Sequence, residues 1–454
     1  MYIKGGVGWG ESEAWATRNL DTSEATGRGG SGQRRTLSPC YAASPRKNHF
    51  LPTHVTTPPS RTGKGAPSNP KTSRTTPGPH SHRSRGIADY EALRRRAGGD
   101  TVQPMTMRVL VTGGAGFLGV NLAHHLSMQG VAVISLDIAT SVAAEYPPGT
   151  IFRVGDVRDP GTVSRTLAET GPIDVVIHAA AALPLWRPHD IRTTNIAGTH
   201  TVLDCARSAG VPRTVFISST AVYGVPDKHP IDETDPMIGV GPYGESKVAA
   251  EQICAAYRAQ GYCVPVVRPK TFLGPGRLGV FQILYDWVFA GKRIPILGPG
   301  HNRYQLLEVG DLCDAIWRAA THESDRVNDT FNVGASRFAT VAEDVGDLCL
   351  HAGTRAQVFP VPAWPAKTAL RSLEAVNLSP LYRWVYGTAD RDSYVSTTKI
   401  SDALDWHPRH SNAEALIHAY DWYVEHRSEL GTSTGVTHRV AWDQGALALL
   451  KKLL

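Results

Sequence analysis

Val109-Leu110-Val111-Thr112-Gly113-Gly114-Ala115-Gly116-Phe117-Leu118-Gly119 runs from an apolar β-rich segment, through a glycine turn, into the start of a helix. Gly114, Gly116 and Gly119 keep the spacing G-x-G-x-x-G. Small residues let the backbone turn sharply and approach a pyrophosphate, whose charge meets the positive end of the helix. Contact with a dinucleotide is therefore expected along Gly113, Gly116, Phe117, Leu118 and Gly119. The next apolar run ends in Asp137, 18 residues past Gly119. A carboxylate there hydrogen-bonds adenosine ribose hydroxyls and repels a 2′-phosphate, so the expected cofactor is NAD rather than NADP.

Outward from this turn, the pattern repeats. Strands are expected at Val131–Asp137, Ile151–Val154, Val175–His178, Val215–Ser218 and Val264–Val267, with helices at Val163–Thr170, Ile191–Ala209 and Tyr243–Gln260. Continuous rather than alternating apolar strands, separated by helices, argue a parallel sheet covered on both faces. The fold class is α/β, a doubly wound parallel (Rossmann) sheet with ligands at the carboxyl ends of its strands. After Pro269 helix-like stretches at Val280–Ala290 and Gly310–Ala320 alternate with loops rich in Pro and Gly. The expected organisation is an NAD-binding domain over 107–268 and a smaller, mostly helical substrate-binding lobe over 269–430 that returns elements to the sheet. Residues 431–454 form a tail with an amphipathic pattern.

Charge is unevenly distributed. Residues 1–106 carry 16 Lys+Arg against 7 Asp+Glu, and Ala25 to Ala88 holds no acidic residue. The basic balance of the chain belongs to this segment, so it does not argue nucleic-acid binding by the folded part. Gly, Ser, Thr, Pro and Arg dominate it, too polar to offset ordering entropy, and disorder is expected. A transit peptide fits poorly with Glu11, Glu13, Asp21 and Glu24 near its start. A flexible arm is an alternative; a true start at Met105 or Met107 is the favoured reading. Six cysteines without CxxC spacing and eighteen histidines without metal spacing argue neither disulfide scaffold nor metal centre. No apolar run reaches membrane-spanning length and no signal peptide is visible, so a cytoplasmic protein is expected. The leucines and lysines of the tail suit docking on the protein's own body or a partner subunit; resting on a membrane surface is the weaker alternative.

Tyr243 and Lys247 stand four apart at the start of a helix, on one face. A phenol is a poor base at its free pKa of about 10. A neighbouring ammonium and an oxidised nicotinamide favour phenolate, making Tyr243 an acid/base. Ser218-Ser219-Thr220 ends the preceding strand on the edge where ligands sit, and supplies a hydroxyl to the reacting oxygen. His178, at a strand end, reads as structural.

With these pieces in order, the chain from about Met107 to His426 resembles the extended short-chain dehydrogenase/reductase superfamily, of the NAD-dependent epimerase/dehydratase type. The resemblance rests on the glycine turn, Asp156-Val157-Arg158-Asp159, His178-Ala179-Ala180-Ala181, Asn195-Ile196-Ala197-Gly198-Thr199, the serine cluster, Tyr243-x-x-x-Lys247 and Leu404-Asp405-Trp406-His407-Pro408. It implies that Asp156, with Val157, Ala179 and Asn195, belongs to the cofactor site. Ser219 and Tyr243 would contact the reacting oxygen, with Thr220 as the alternative hydroxyl, and Lys247 would also hold the nicotinamide ribose. A homodimer is implied as well. Departures bear on the substrate. Thr271 stands where nucleotide-sugar members carry Asn, Lys270 precedes it, and Arg303-Tyr304-Gln305 replaces an Arg-Asp-Phe-like stretch. The aromatic stretches Val361–Pro365 and Leu378–Tyr386 resemble hydroxysteroid dehydrogenase-like relatives. The expected activity is hydride transfer from a secondary alcohol, by default of a nucleotide sugar. A steroid-like or lipid alcohol is the alternative, and a non-catalytic NAD-binding regulator the least favoured.

Overall fold

In the computed structural model the chain is described over residues 106–375 and 383–430, together with Arg439 and Lys451; for 373–375 and 383–385 only the backbone is described. The basic N-terminal segment, the centre of the aromatic stretch at Leu378–Tyr382 and most of the tail lie outside the described residues. Eleven strands are described: β1 (Arg108–Thr112), β2 (Ala132–Asp137), β3 (Ile151–Val154), β4 (Val175–His178), β5 (Thr214–Ile217), β6 (Val266–Pro269), β7 (Thr271–Leu273), β8 (Arg293–Leu297), β9 (Leu306–Glu308), β10 (Thr330–Val333) and β11 (Gln357–Val361). Seven of them form one parallel sheet in the order β10-β6-β5-β4-β1-β2-β3. The reversal of strand order lies between β1 and β4, where a doubly wound sheet opens its ligand crevice.

All four residues of β4, β5 and β6 are buried, as expected for strands covered on both faces. One face packs helices Phe117–Met128 and Val309–Thr321 around Val109, Val111, Leu122, Leu126, Leu312, Ile316 and the fully buried Trp406. The other packs Pro160–Glu169, Gly198–Ser208 and Gly241–Ala259 around Leu110, Val163, Val202, Phe216 and Ala250. Trp406 comes from the Leu404–Pro408 motif. The helix before it, Thr398–Leu404, ends on Asp405 in the left-handed region, φ 51°, and the indole then donates to the Asp311 carbonyl at 3.1 Å.

Three local expectations shift. β6 begins at Val266 rather than Val264, because the Val264 amide donates to the Asn328 side chain at 2.8 Å instead of joining the ladder. The helix expected over Ile191–Ala209 spans Pro188–Ser208 and is interrupted by a π-turn at Thr193–Ala197. The lobe was expected to return elements to the sheet without a stated location; β10 is that return, pairing with β6. The lobe is helical, as expected, but also holds two small parallel pairs, β7 with β9 and β8 with β11. Among the described residues no helix is long and apolar enough to cross a membrane. The two described tail residues contact the chain itself: Arg439 pairs with Glu145 and Lys451 with Asp286.

Candidate active site

The glycine turn is built by close backbone approach. Gly113 has φ +71°, a region that favours glycine, and a Cβ there would stand 2.7 Å from the Ala180 nitrogen. A Cβ on Gly119 would stand 2.4 Å from the Gly114 carbonyl oxygen. The Gly113 amide donates to the Leu136 carbonyl at 2.9 Å, fastening the turn to β2. At the start of the following helix Gly116 offers no side-chain cap and the first turn carries no acid, so the helix N-terminus suits an anion. Asp137 faces this turn: its Oδ2 accepts the Ala115 amide and its Oδ1 the Ala139 amide, each at 2.9 Å. These residues fit a dinucleotide.

Other expected cofactor residues divide by what they can offer. Phe117 and Leu118 are buried in the core, so their backbone rather than their side chains faces the turn. Val157 is likewise buried. Asp156 forms a two-oxygen pair with Arg158, Nη2 to Oδ2 at 2.6 Å, and these hydrogen bonds hold its carboxyl below the ordinary range. The Ala179 amide donates to the Thr112 carbonyl at 3.2 Å. Asn195 takes a positioning role. From the π-turn its Oδ1 accepts the Ala182 amide at 2.8 Å, and its Nδ2 donates to the Ala182 carbonyl and to Ser246 Oγ. It thereby ties the loop after β4 to the helix that carries Tyr243.

Ser219, just past the end of β5, caps the short Thr220–Tyr223 turn by accepting the Ala221 amide at 3.1 Å. Its hydroxyl also lies close enough to the half-buried Tyr243 to pull the phenol's pKa down. Ser219, rather than Thr220, is the hydroxyl that acts on the phenol's titration. Lys247 is buried, its Nζ donating to the Ile217 carbonyl at 2.9 Å and lying 6.0 Å from the Tyr243 ring centre. The expected lowering of Tyr243 by this ammonium does not occur in the protein alone. Burial dominates and pushes the phenol up to about 12, against the influence of Ser219 and the Arg277 charge. Lys247 itself is drawn down to about 8 by burial, opposed by Glu251. His178 is structural, as read: it bonds the Thr112 and Thr199 hydroxyls, and burial takes it down to about 3, so it stays neutral.

Beneath the pair lies a buried network that sequence reasoning missed. Glu251 accepts from the Ser218 hydroxyl and ion-pairs with Arg268, Nη2 to Oε2 at 2.6 Å. Arg268 also donates to the Tyr223 hydroxyl at 2.6 Å, which donates to Asn332 Oδ1 on β10 at 2.8 Å. Burial alone would lower Arg268, yet the Glu251 carboxylate holds it above its ordinary value. One signal was available: Tyr243, Lys247 and Glu251 follow at four-residue spacing along one helix face. Arg277 was also missed. It is buried, its guanidinium 5.4 Å from the Phe117 ring and 5.7 Å from that of Phe272, and its charge reaches Tyr243.

On the lobe side, Lys270 is 3% exposed and donates to Ser393 Oγ at 2.7 Å, over the Tyr304 ring at 4.8 Å. Thr271 Oγ1 and the Tyr304 hydroxyl share a hydrogen bond of 3.3 Å. Arg303 is exposed, its guanidinium 4.6 Å from the Phe338 ring and 5.1 Å from that of Tyr394. Glu308, Asp311 and His410 come together, but their oxygens are engaged: Glu308 caps the Val309–Thr321 helix, and Asp311 accepts the Arg409 and His410 amides.

Comparison with known proteins accords with this geometry. Residues 109–334 match the model of the NAD dependent epimerase/dehydratase family. A UDP-glucose 4-epimerase of Halalkalibacterium halodurans is 30% identical over 70% of this chain and 96% of its own. A dTDP-glucose 4,6-dehydratase of Streptomyces antibioticus is 28% identical, over 71% of this chain and 94% of its own. The solved UDP-glucose 4-epimerase of Thermus thermophilus, in complex with NAD, superposes with a TM-score of 0.58 at 27% identity, covering 70% of this chain and 99% of that one. Glycine turn, Asp137, the Ser219–Tyr243–Lys247 grouping and these likenesses converge: the chain is an enzyme of the NAD-dependent epimerase/dehydratase family, within the extended short-chain dehydrogenases/reductases.

Proposed function

We propose that this enzyme acts on a secondary alcohol of a nucleotide sugar, with Tyr243 as the acid/base. The carrying observation is the gathering of Ser219, Tyr243 and the buried Lys247 at the carboxyl edge of the sheet: the Lys247 amine lies 6.0 Å from the Tyr243 ring centre, and Ser219 is near enough to pull the phenol down against burial. NAD, when bound, supplies the acceptor and donor of hydride at the reacting carbon. Tyr243 takes and returns the hydroxyl proton, Ser219 donates to the same oxygen, and Lys247 provides positive charge. With the phenol at about 12, the resting tyrosine is neutral and ready to donate; proton acceptance needs added positive charge. Burial lowers Lys247 to about 8, so its positive charge fades in mild alkali. Residues 107–268 form the cofactor half of this reading and 269–430 the substrate half.

The nucleotide-sugar reading is supported by the relatives, named as enzymes of UDP- and dTDP-glucose. Epimerisation and dehydration both begin with the same oxidation, and the residues described serve either. The aromatic stretch behind the steroid-like alternative adds little, since Trp364 is 80% exposed and Leu378–Tyr382 falls outside the described residues. Tyr243→Phe is the test, with UDP- and dTDP-hexoses as substrates. Turnover should fall by about 10²–10⁴-fold with NAD affinity retained. Undiminished turnover sinks the acid/base role.

A further inference from the structure

Lys270 follows β6 directly, at the sheet edge where Ser219 leaves β5. β5 and β6 pair with Ile217 opposite Val267, so continuing that register sets Ser219 level with Pro269, one residue before Lys270. The Lys270 amide is fixed to the Val333 carbonyl at 2.8 Å, extending the ladder between β6 and β10. Its amine is buried between two neutral groups, Ser393 and the Tyr304 ring. Among the described residues no carboxylate pairs with it, and burial is the sole influence on its titration, drawing it down to about 7.

The contrast with Arg268, two residues earlier, is instructive. Arg268 is equally buried, and Glu251 answers its charge inside the fold. Lys270 has no such answer. The nearest acid along the adjoining segment, Asp392, is exposed and accepts the Arg303 amide at 2.8 Å. Placing a cation in a dry site without a counter-ion costs several kcal/mol, and a neutral residue could support Ser393 and Tyr304 as well. An ammonium has three donors and Ser393 takes one. A compact point charge on the sheet edge that carries Ser219 suits a single carboxylate; a diphosphate is better matched by the planar fork of arginine.

We infer that Lys270 is a specificity-determining residue that binds a carboxylate on the sugar ring, so that the substrate is an acidic nucleotide sugar. This rests on the nucleotide-sugar reading above and narrows it.

The test uses the full chain saturated with NAD and three probes in equilibrium titrations: UDP, UDP-glucose and UDP-glucuronate. The two sugars differ only in the C6 group, hydroxymethyl against carboxylate. UDP-glucuronate should bind about tenfold or more tightly than UDP-glucose, the increment of a charge-assisted hydrogen bond in a dry site. Lys270→Met should bring the two within about twofold, leaving UDP and NAD affinities unchanged, and Lys270→Arg should keep a preference for the acid. Equal affinities in the unmodified protein, or a preference that survives Lys270→Met, overturns the inference while UDP binding leaves the nucleotide-sugar reading standing. Failure of UDP itself to bind overturns both.

Discussion

Removing a charge from the candidate substrate site should stabilise the protein. Lys270 is 3% exposed, and burial lowers its amine from 10.5 to about 7. That lowering corresponds to ~5 kcal/mol against the charged form in the folded state. Because the folded value lies below the unfolded one, the unfolded chain binds more protons between about pH 7 and 10.5, and stability rises with pH across that window. The full penalty applies below about pH 7. Methionine fills a similar volume and does not titrate. It forfeits the Ser393 hydrogen bond and the contact with the Tyr304 ring, together ~2–3 kcal/mol. Lys270→Met should therefore gain about 2 kcal/mol near pH 6.5, and the gain should fall to zero at pH ~8.5–9 and change sign above it. The titrating neighbours do not disturb this difference: burial holds His229 below its ordinary value and Tyr304 above its own, so both stay neutral across most of the window. Urea denaturation of both proteins at several pH values reads the effect, without added ligand. A variant less stable than the parent near pH 6.5, or a gap that does not narrow in alkali, refutes the reasoning.

Three further outcomes follow from contacts elsewhere. Arg268→Met strands the Glu251 carboxylate in the core and should lower stability by about 3–5 kcal/mol in urea; a loss under about 1 kcal/mol would show that the pair is not desolvated in solution. Asp137→Ala removes both the carboxylate proposed for the ribose and an anchor of the glycine turn, so NAD affinity should drop about tenfold and discrimination against NADP should close, read by fluorescence titration. Tight NADP binding by the unmodified protein would contradict the role given to this aspartate. Arg439→Ala breaks a partly exposed pair with Glu145 and a hydrogen bond to the Ala115 carbonyl of the turn, so unfolding should shift by no more than ~1 kcal/mol. NAD should nevertheless leave a few-fold faster, measured by stopped flow, and an unchanged dissociation rate would detach the tail from the cofactor site.

What was legible in the residues was local or periodic. The turn from β1 into its helix needs glycines at set offsets, and a strand buried on both faces needs an unbroken apolar run, so β1 to β5 could be placed within a residue or two. Tyr243 and Lys247 were legible because four residues bring side chains to one helix face. β10 was harder: four residues, Thr330–Val333, give no period, and only pairing with β6, more than sixty residues earlier, makes them part of the sheet. Asn195 could be matched to the cofactor site but not to its contacts, because its partners Ala182 and Ser246 meet it only through the fold.

The order of residues along the chain sets out the groups available: a glycine turn opening a helix, an aspartate ending the next strand and a tyrosine–lysine pair. It can do so because backbone conformation and helical spacing depend on near neighbours. How those groups are tuned is set by packing in three dimensions. Burial, not the nearby lysine, governs the Tyr243 phenol; Glu251 answers Arg268; and Lys270 is enclosed without a counter-ion. Solvent exclusion is a property of all the chain packed around a group, and the electrostatics of a site follow from it.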